Sequence, residues 1–453
     1  MNYIINTPCG KIKGIQIDNE DIIAYKGVRY AYAKRFEYPI QVTSWQGVYD
    51  ASKYGNCSYQ PRAFYDEEKN IKKQFYYNEF RKGETYTYSE DCLFLNIFRP
   101  KSAKKGSNLP VIVYIHGGGF SGGCGHEKHF DIPVWPKKDV IGVTINYRLG
   151  PLGFACIKQA KEKDGHTGNY GLFDQLTAIK WIYDNIYSFG GDNQNITIMG
   201  QSAGAMSVQH LCLSTLTKGL FNKAVMCSGG GVSKMMPITS QEKNFSFWDK
   251  VMKQCNCSTL EEFQNVDIEA LFNSWDKIKK EEKGAFMASS PVIDGLLITD
   301  KATNLIKENR HNDIAFMVGS TSEDIIPPII HKMAKKFCSI QNKPSYCWMF
   351  EHQLPGDENG AWHSSDLWYW FGTLKNCWRP FTEYDEMLSD KMTDYLCNFS
   401  KYGNPNGESL VEWLPTNNNQ DNVLCWGENE IRMDSVDMEY LHEIMRTNVA
   451  VGE

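Results

Sequence analysis

At 453 residues the chain is long enough for a large core, and 42% hydrophobic with 23% charged residues is ordinary for a soluble globular protein. A formal net charge of −6 gives no electrostatic argument for nucleic acid or acidic membranes, so neither is expected as a partner. Length alone suggests about three domains of roughly 150 residues. No repeat, low-complexity linker or clean boundary divides the chain, however, so one unit over 1–453 is expected.

Met1 to Asn6 carries no charged segment and no long apolar run, so no signal peptide is read there. No stretch approaches the ~20 apolar residues that span a bilayer, and a cytoplasmic protein is expected. The 14 cysteines are scattered, without CxxC pairs or metal-like Cys/His spacing. They predict reduced, partly buried thiols and no metal. N-x-[ST] triplets at Asn56, Asn195, Asn244, Asn256 and Asn398 are read as chance.

The first thirty residues alternate short apolar runs with Gly10, Gly14 and Gly27, which predicts antiparallel strands and turns. Asp66 to Lys73 is a charged loop or surface helix. The aromatic run from Phe75 to Tyr88 suits either a cover over a cleft or surface packing. Val111–Ile115 and Val140–Ile145 are continuous apolar, β-branched runs, the mark of strands covered on both faces. Leu172 to Asn185 reads as a helix with Leu176, Ile179 and Ile182 on one side. Asn195–Met199, Ala224–Cys227 and Ile314–Val318 add central strands, so the expected fold is α/β, a mostly parallel sheet with helices on both faces. Charge and helix formers over 237–285 predict a helical excursion, with Ser258 to Glu261 as a capping box. A second helical insertion is expected around 325–360. A late helix from about Phe381 to Tyr402 buries Leu388, Met392, Tyr395 and Phe399, and Gly403-Asn404-Pro405 stops it.

Chemistry concentrates at Gly200-Gln201-Ser202-Ala203-Gly204, between a strand and a helix-compatible run. A serine reacts only when exposed, near a base and near donors for an oxyanion. A strand-to-helix elbow exposes it and offers the amide of Ala203 at a helix N-terminus. The pentapeptide alone occurs by chance about 0.15 times in such a chain, so an idle turn is the alternative that its partners must exclude. His116-Gly117-Gly118-Gly119-Phe120 follows a strand and can aim the amides of Gly118 and Gly119 into a cavity. His116 suits a hydrogen-bonding role behind that loop. With the order serine, acid, histidine, His363 stands out in a loop of small residues, and His352 is its nearest rival. Glu323 and Asp324 are adjacent carboxylates at a strand end, and position does not choose between them.

Together these pieces resemble the type-B carboxylesterases, the α/β-hydrolase family that includes cholinesterases. Ser89 to Asn96, the HGGGF loop, Asn146 to Gly150, Gly168 to Gln175, the serine elbow, Pro291 to Gly295 and Gly360 to His363 match in family order over nearly the whole chain. The resemblance implies Ser202 as nucleophile, His363 as general base, and Gly118, Gly119 and Ala203 as the oxyanion hole. It selects Asp324 as the acid, where the family usually has Glu, and places Asp366 and Gln201 just behind the reacting groups. It pairs Cys57 with Cys92, although a cytoplasmic chain would keep both as thiols. Lys82 stands where cholinesterases carry a tryptophan that holds quaternary ammonium, and Gln201 where they carry Glu, so choline esters are not expected substrates. The short spacing from Asp324 to His363 predicts a reduced helical cap. The expected activity is hydrolysis of short- to medium-chain carboxylic esters through an acyl-enzyme, with a small-molecule ester as partner and no cofactor. Oligomeric state is not legible. The alternatives are amides or lactones as substrates, or a non-catalytic cholinesterase-like binding protein.

Overall fold

The computed structural model describes residues 3–71, 74–231, 238–282, 288–417 and 422–451. The long strands of its main sheet, in chain order, are β1 (Tyr3–Thr7), β2 (Gly10–Gln16), β3 (Ile22–Arg29), β4 (Phe94–Pro100), β5 (Leu109–Ile115) and β6 (Ile141–Ile145). They continue as β7 (Gly191–Gln201), β8 (Lys223–Cys227), β9 (Ala315–Thr321), β10 (Tyr346–Phe350), β11 (Val423–Trp426) and β12 (Ile431–Asp434). Their spatial order is β1-β2-β3-β4-β6-β5-β7-β8-β9-β10-β11-β12. The run from β6 to β11 is parallel, and both flanks are antiparallel.

The inner parts of the parallel strands are buried on both faces because apolar residues dominate them. Along β5, Val111, Val113 and Ile115 enter the core on one face, while Ile112 and Tyr114 enter the core on the other. That alternation follows from the two-residue period of a strand. The first face is covered by the helix Tyr170–Asn185 through Leu176, Ile179 and Ile182, as its periodicity predicts. The second is covered by the helix Glu383–Tyr402, through Leu388, Met392, Tyr395 and Phe399. Thr382 caps this helix, and Gly403 ends it in the left-handed region at φ 71°. Beneath it lie Trp348, Trp370, Trp413 and Trp426, packed edge to face.

The expected excursion holds the helices Phe245–Gln254, Leu260–Asn265 and Ile268–Glu281, which build a separate apolar cluster with Phe36, Leu152 and Tyr170. Its capping box sits one residue later than the sequence reading, on Thr259 and Glu262. The stretch 325–360 needs a larger correction. It carries one helix, Pro327–Ser339, and then β10, a fully buried strand of the central sheet. Tyr346-Cys347-Trp348-Met349-Phe350 is a continuous apolar run of five, and such a run has no periodicity that separates a buried strand from a buried helix.

Conserving the geometry of the strand ends is the work of buried polar pairs. Arg148 donates through Nη2 and Nε to Asp174 at 2.7 and 2.8 Å, with side chains 2% and 0% exposed. Asn169 donates to Asp294 at 2.7 Å and accepts from the Val292 amide at 2.9 Å, joining two loops far apart in the chain. Asn96 accepts from the Gly27 amide and donates to Thr144, tying β3, β4 and β6 together. All three stand in stretches that the sequence reading had matched to the family, and their work is to fix loops rather than to react.

Candidate active site

The elbow forms because an apolar strand runs into a helix with no room between them. β7 ends at Gln201, and the helix Ala203–Leu213 begins one residue beyond Ser202. Ser202 therefore takes φ 55° and ψ −123°, a conformation costing a non-glycine residue about 1–3 kcal/mol. Two backbone bonds hold it there: its amide donates to the Cys227 carbonyl at 2.9 Å, and its carbonyl accepts from the Met206 amide at 3.0 Å. A Cβ on Gly204 would lie 2.0 Å from the Ile115 carbonyl oxygen, and one on Gly200 would lie 2.4 Å from the backbone of Gly204. The two glycines let the helix start sit directly on the end of β5.

At that same end β5 runs into the glycine loop. Gly118 and Gly119 have φ 103° and 59°, and the Gly118 carbonyl accepts from the amides of Ser121 and Gly122 at 3.1 and 2.9 Å. A Cβ on Gly117 would sit 3.1 Å from Ser202 Cβ, so the loop lies against the elbow. Gly118, Gly119, Ser202 and Ala203 line one cavity. His116 is buried behind the loop, stacked on Tyr147 at 4.4 Å, with Nδ1 2.9 Å from the Gly117 carbonyl. Burial lowers its pKa, which keeps it neutral.

β9 and the loop after β10 bring the acid and the imidazole to the cavity. Asp324 is 1% exposed, and its Oδ1 lies 2.6 Å from His363 Nδ1. The same oxygen accepts from the Ile325 amide at 2.8 Å, and Thr321 Oγ1 donates to Oδ2 at 3.3 Å. Burial opposes ionisation of Asp324, but the adjacent imidazole and the hydrogen bonds outweigh it and hold the pKa below the usual carboxylate value. Reciprocally, burial works against a charged His363, while Asp324 overrides it and raises the pKa. Glu323 points elsewhere: its Oε1 accepts from the Tyr440 hydroxyl at 3.1 Å. The geometry thus separates the two adjacent carboxylates that position alone left open.

Gln201 approaches the other ring nitrogen, its Nε2 lying 3.2 Å from His363 Nε2. An amide N–H donated into that lone pair matches a neutral imidazole whose Nδ1–H goes to Asp324. Asp366 is fully buried behind the pair, accepting from Trp370 Nε1 at 3.1 Å. Burial, reinforced by the Asp324 charge, pushes its pKa up to about 7. His352, the rival histidine, instead bonds Asp385 at 2.8 Å.

The cavity measures about 700 Å³ and is walled chiefly by apolar side chains. The helix Gln74–Phe80 overhangs it, contributing Phe75, Tyr76 and Phe80, and the Tyr76 hydroxyl donates to the His363 carbonyl at 3.3 Å. The aromatic run thus covers the cleft in its first half, whereas Arg62 lies over the rings of Tyr86 and Tyr88 in its second. Met206, Ile325 and Leu367 also line the cavity, with no signal in the sequence beyond proximity to Ser202, Asp324 and His363. Lys82 is exposed and does not line it.

A profile of the carboxylesterase family matches residues 2–343 and 328–441. The para-nitrobenzyl esterase of Bacillus subtilis is 30% identical over 91% of this chain and 92% of its own length. Liver carboxylesterase 1 of Oryctolagus cuniculus is 31% identical over 72% of this chain and 59% of its own. Among solved structures, a PNB esterase superposes with a TM-score of 0.84 at 26% identity, covering 98% of this chain and 99% of that one.

Proposed function

The chain belongs to the carboxylesterase family and hydrolyses carboxylic esters, and from that premise we propose that Ser202, His363 and Asp324 carry the reaction. The observation that supports this most directly is the 2.6 Å bond from His363 to Asp324 at the wall of the cavity that also holds Ser202. Asp324 fixes the tautomer with Nδ1 protonated, leaving Nε2 to take the Ser202 proton. Ser202 attacks the ester carbonyl, and the oxyanion develops against the amides of Gly118, Gly119 and Ala203. His363, now charged, protonates the departing alcohol and is stabilised by Asp324. Water then enters, gives its proton to Nε2 and releases the acid. During attack the Gln201 amide yields Nε2 to the serine hydroxyl.

The substrate reading is a short- to medium-chain acyl ester. A 700 Å³ cavity with aromatic walls supports it, because it suits a compact apolar ester. The para-nitrobenzyl relative makes an aromatic alcohol a natural first probe. A cytoplasmic location is part of the same proposal, supported by fourteen free cysteines, whose thiols a reducing compartment preserves. Among the described residues no helix is long and apolar enough to cross a membrane.

The test is a p-nitrophenyl ester series from acetyl to dodecanoyl, with Ser202→Ala alongside. The expected result is turnover peaking at short to medium acyl chains and falling by several orders of magnitude in the variant. Undiminished turnover in Ser202→Ala would overturn the assignment, and a dodecanoyl optimum would overturn the acyl-chain reading.

A further inference from the structure

Away from the catalytic groups, the polypeptide gathers a second set of reactive side chains. Cys57 lies on a short strand, Cys57–Ser58, and Cys124 and His126 follow the glycine loop. One donor atom from each falls within 4.8 Å of the others, and Cys57 Sγ is 3.7 Å from His126 Nε2. Both thiols are buried, at 0% and 1% exposure. The His126 ring is held flat against Tyr54, centroids 4.5 Å apart and planes 6° from parallel. A tetrahedral zinc with about 2.3 Å bonds to sulfur and about 2.0 Å bonds to nitrogen sets its donors roughly 3.5–3.8 Å apart. The Cys57–His126 pair already has that spacing, and the rest needs a closure of about 1 Å at most.

The surroundings leave polar atoms unsatisfied. His126 Nδ1 and the Tyr86 hydroxyl are both shut off from solvent with no hydrogen-bond partner among the described residues. The two rings lie 5.7 Å apart. An ion on Nε2 leaves these two atoms as they are, but a neutral imidazole with its proton on Nδ1 turns the Nε2 lone pair towards Cys57 Sγ, the form that binds a metal. Arg62 and Glu127 neutralise each other at 2.6 Å, and Asp131, which accepts from the Tyr54 hydroxyl beside His126, adds a negative charge, so the neighbourhood sets no field against a cation.

We propose that Cys57, Cys124 and His126 bind a thiophilic divalent cation of the zinc type, fastening the glycine loop to the strand at Cys57. As each sulfur–metal bond forms, its thiol releases a proton to solvent, so two thiolates neutralise the dication and no net charge is buried. The fourth position is left to water. The fastening runs beside an existing one, in which Gln60 accepts from the Gly123 amide at 2.9 Å and donates to the Gly123 carbonyl at 3.0 Å. The cation would thus brace Gly118 and Gly119 from outside the cavity. The sequence spacing concealed this site, because Cys57 and His126 are 69 positions apart. Cys92, the cysteine matched with Cys57 by family resemblance, lies outside the cluster.

The test uses the full chain, purified under reducing conditions, stripped with chelator and reloaded with Zn²⁺ or Co²⁺ alone. One equivalent retained after dialysis, a cobalt–thiolate charge-transfer band and a thermal midpoint raised by Zn²⁺ are expected. Cys57→Ser and Cys124→Ser should each lose the band, and Cys92→Ser should keep it. If these variants fail to fold, X-ray absorption of the Zn²⁺-loaded wild-type carries the decision, since the metal should be bound by two sulfurs and a nitrogen, and a shell of oxygen and nitrogen alone would overturn the proposal. No retained metal, equal retention in all three variants, or a mass map showing Cys57 and Cys124 joined as a disulfide would overturn the proposal.

Discussion

Replacing Asp324 with asparagine removes one charge and leaves the shape nearly unchanged. Oδ1 of Asp324 receives both the His363 Nδ1–H and the Ile325 amide, so the amide oxygen of an asparagine can still satisfy both. What is lost is the attraction between carboxylate and imidazolium, which exists only once His363 has taken the serine proton. Two unit charges about 4 Å apart at an effective dielectric near 20 attract by about 4 kcal/mol. That corresponds to roughly a thousandfold in rate. The expected outcome is a drop of about three orders of magnitude in kcat/KM on p-nitrophenyl butyrate, with the urea midpoint little changed. The pH profile should move as well. In the wild-type, Asp324 raises the His363 pKa, so the acid limb lies above an ordinary histidine and activity fails as pH falls through it. Asp324→Asn should shift that limb downward. Asp324→Glu should recover part of the loss, and Glu323→Gln should leave the rate near wild-type, since its carboxylate serves Tyr440. An Asp324→Asn enzyme within tenfold of wild-type, or a Glu323→Gln enzyme that is crippled, would refute the argument.

Asp366 stores a pH dependence of the opposite kind. With its pKa raised to about 7 from an ordinary 3.8, its contribution is present below pH 3.8 and is lost as pH rises through 7. Asp366→Asn should remove on the order of 2–4 kcal/mol of that loss, seen as a smaller fall in urea stability between pH 5 and pH 8 than in the wild-type. The strained backbone at Ser202 should make Ser202→Gly about 1 kcal/mol more stable than Ser202→Ala by chemical denaturation, with both inactive. Arg148→Met strands the Asp174 charge in the core and should cost about 3–5 kcal/mol in an unfolding titration.

How much of this was readable from the residues differs from place to place. β5, β6 and β8 were visible as β-branched or apolar runs, and the helix Tyr170–Asn185 as a periodic stripe. β10 was not, because its continuous apolar run has no periodicity that separates a buried strand from a buried helix. The elbow and glycine loop were legible because their backbone conformations demand glycine. His363 was only one of several candidates until the family pattern was applied, since a histidine carries no local mark of the carboxylate it will meet. The overhang of Gln74–Phe80 was one of two readings of its aromatic run and Gln201 was placed near the site by resemblance alone, while the gathering of Cys57 with Cys124 and His126 had no signature at all. Each depends on how distant segments are laid side by side by the sheet.

The same layout has a consequence for synthesis on the ribosome. The imidazole lies 162 positions beyond Gln201, and the strand that precedes its loop, β10, meets the sheet through β9 on one side. β11, the next strand outward, closes that edge from residues 423–426. A chain emerging from the tunnel therefore displays its serine elbow long before any base can reach it. Contacts of such separation form slowly, because loop closure must precede the burial that rewards it. Ester turnover is then a late-arriving signal, one that a nascent or truncated chain cannot give, and its first appearance times the docking of the last third of the polypeptide.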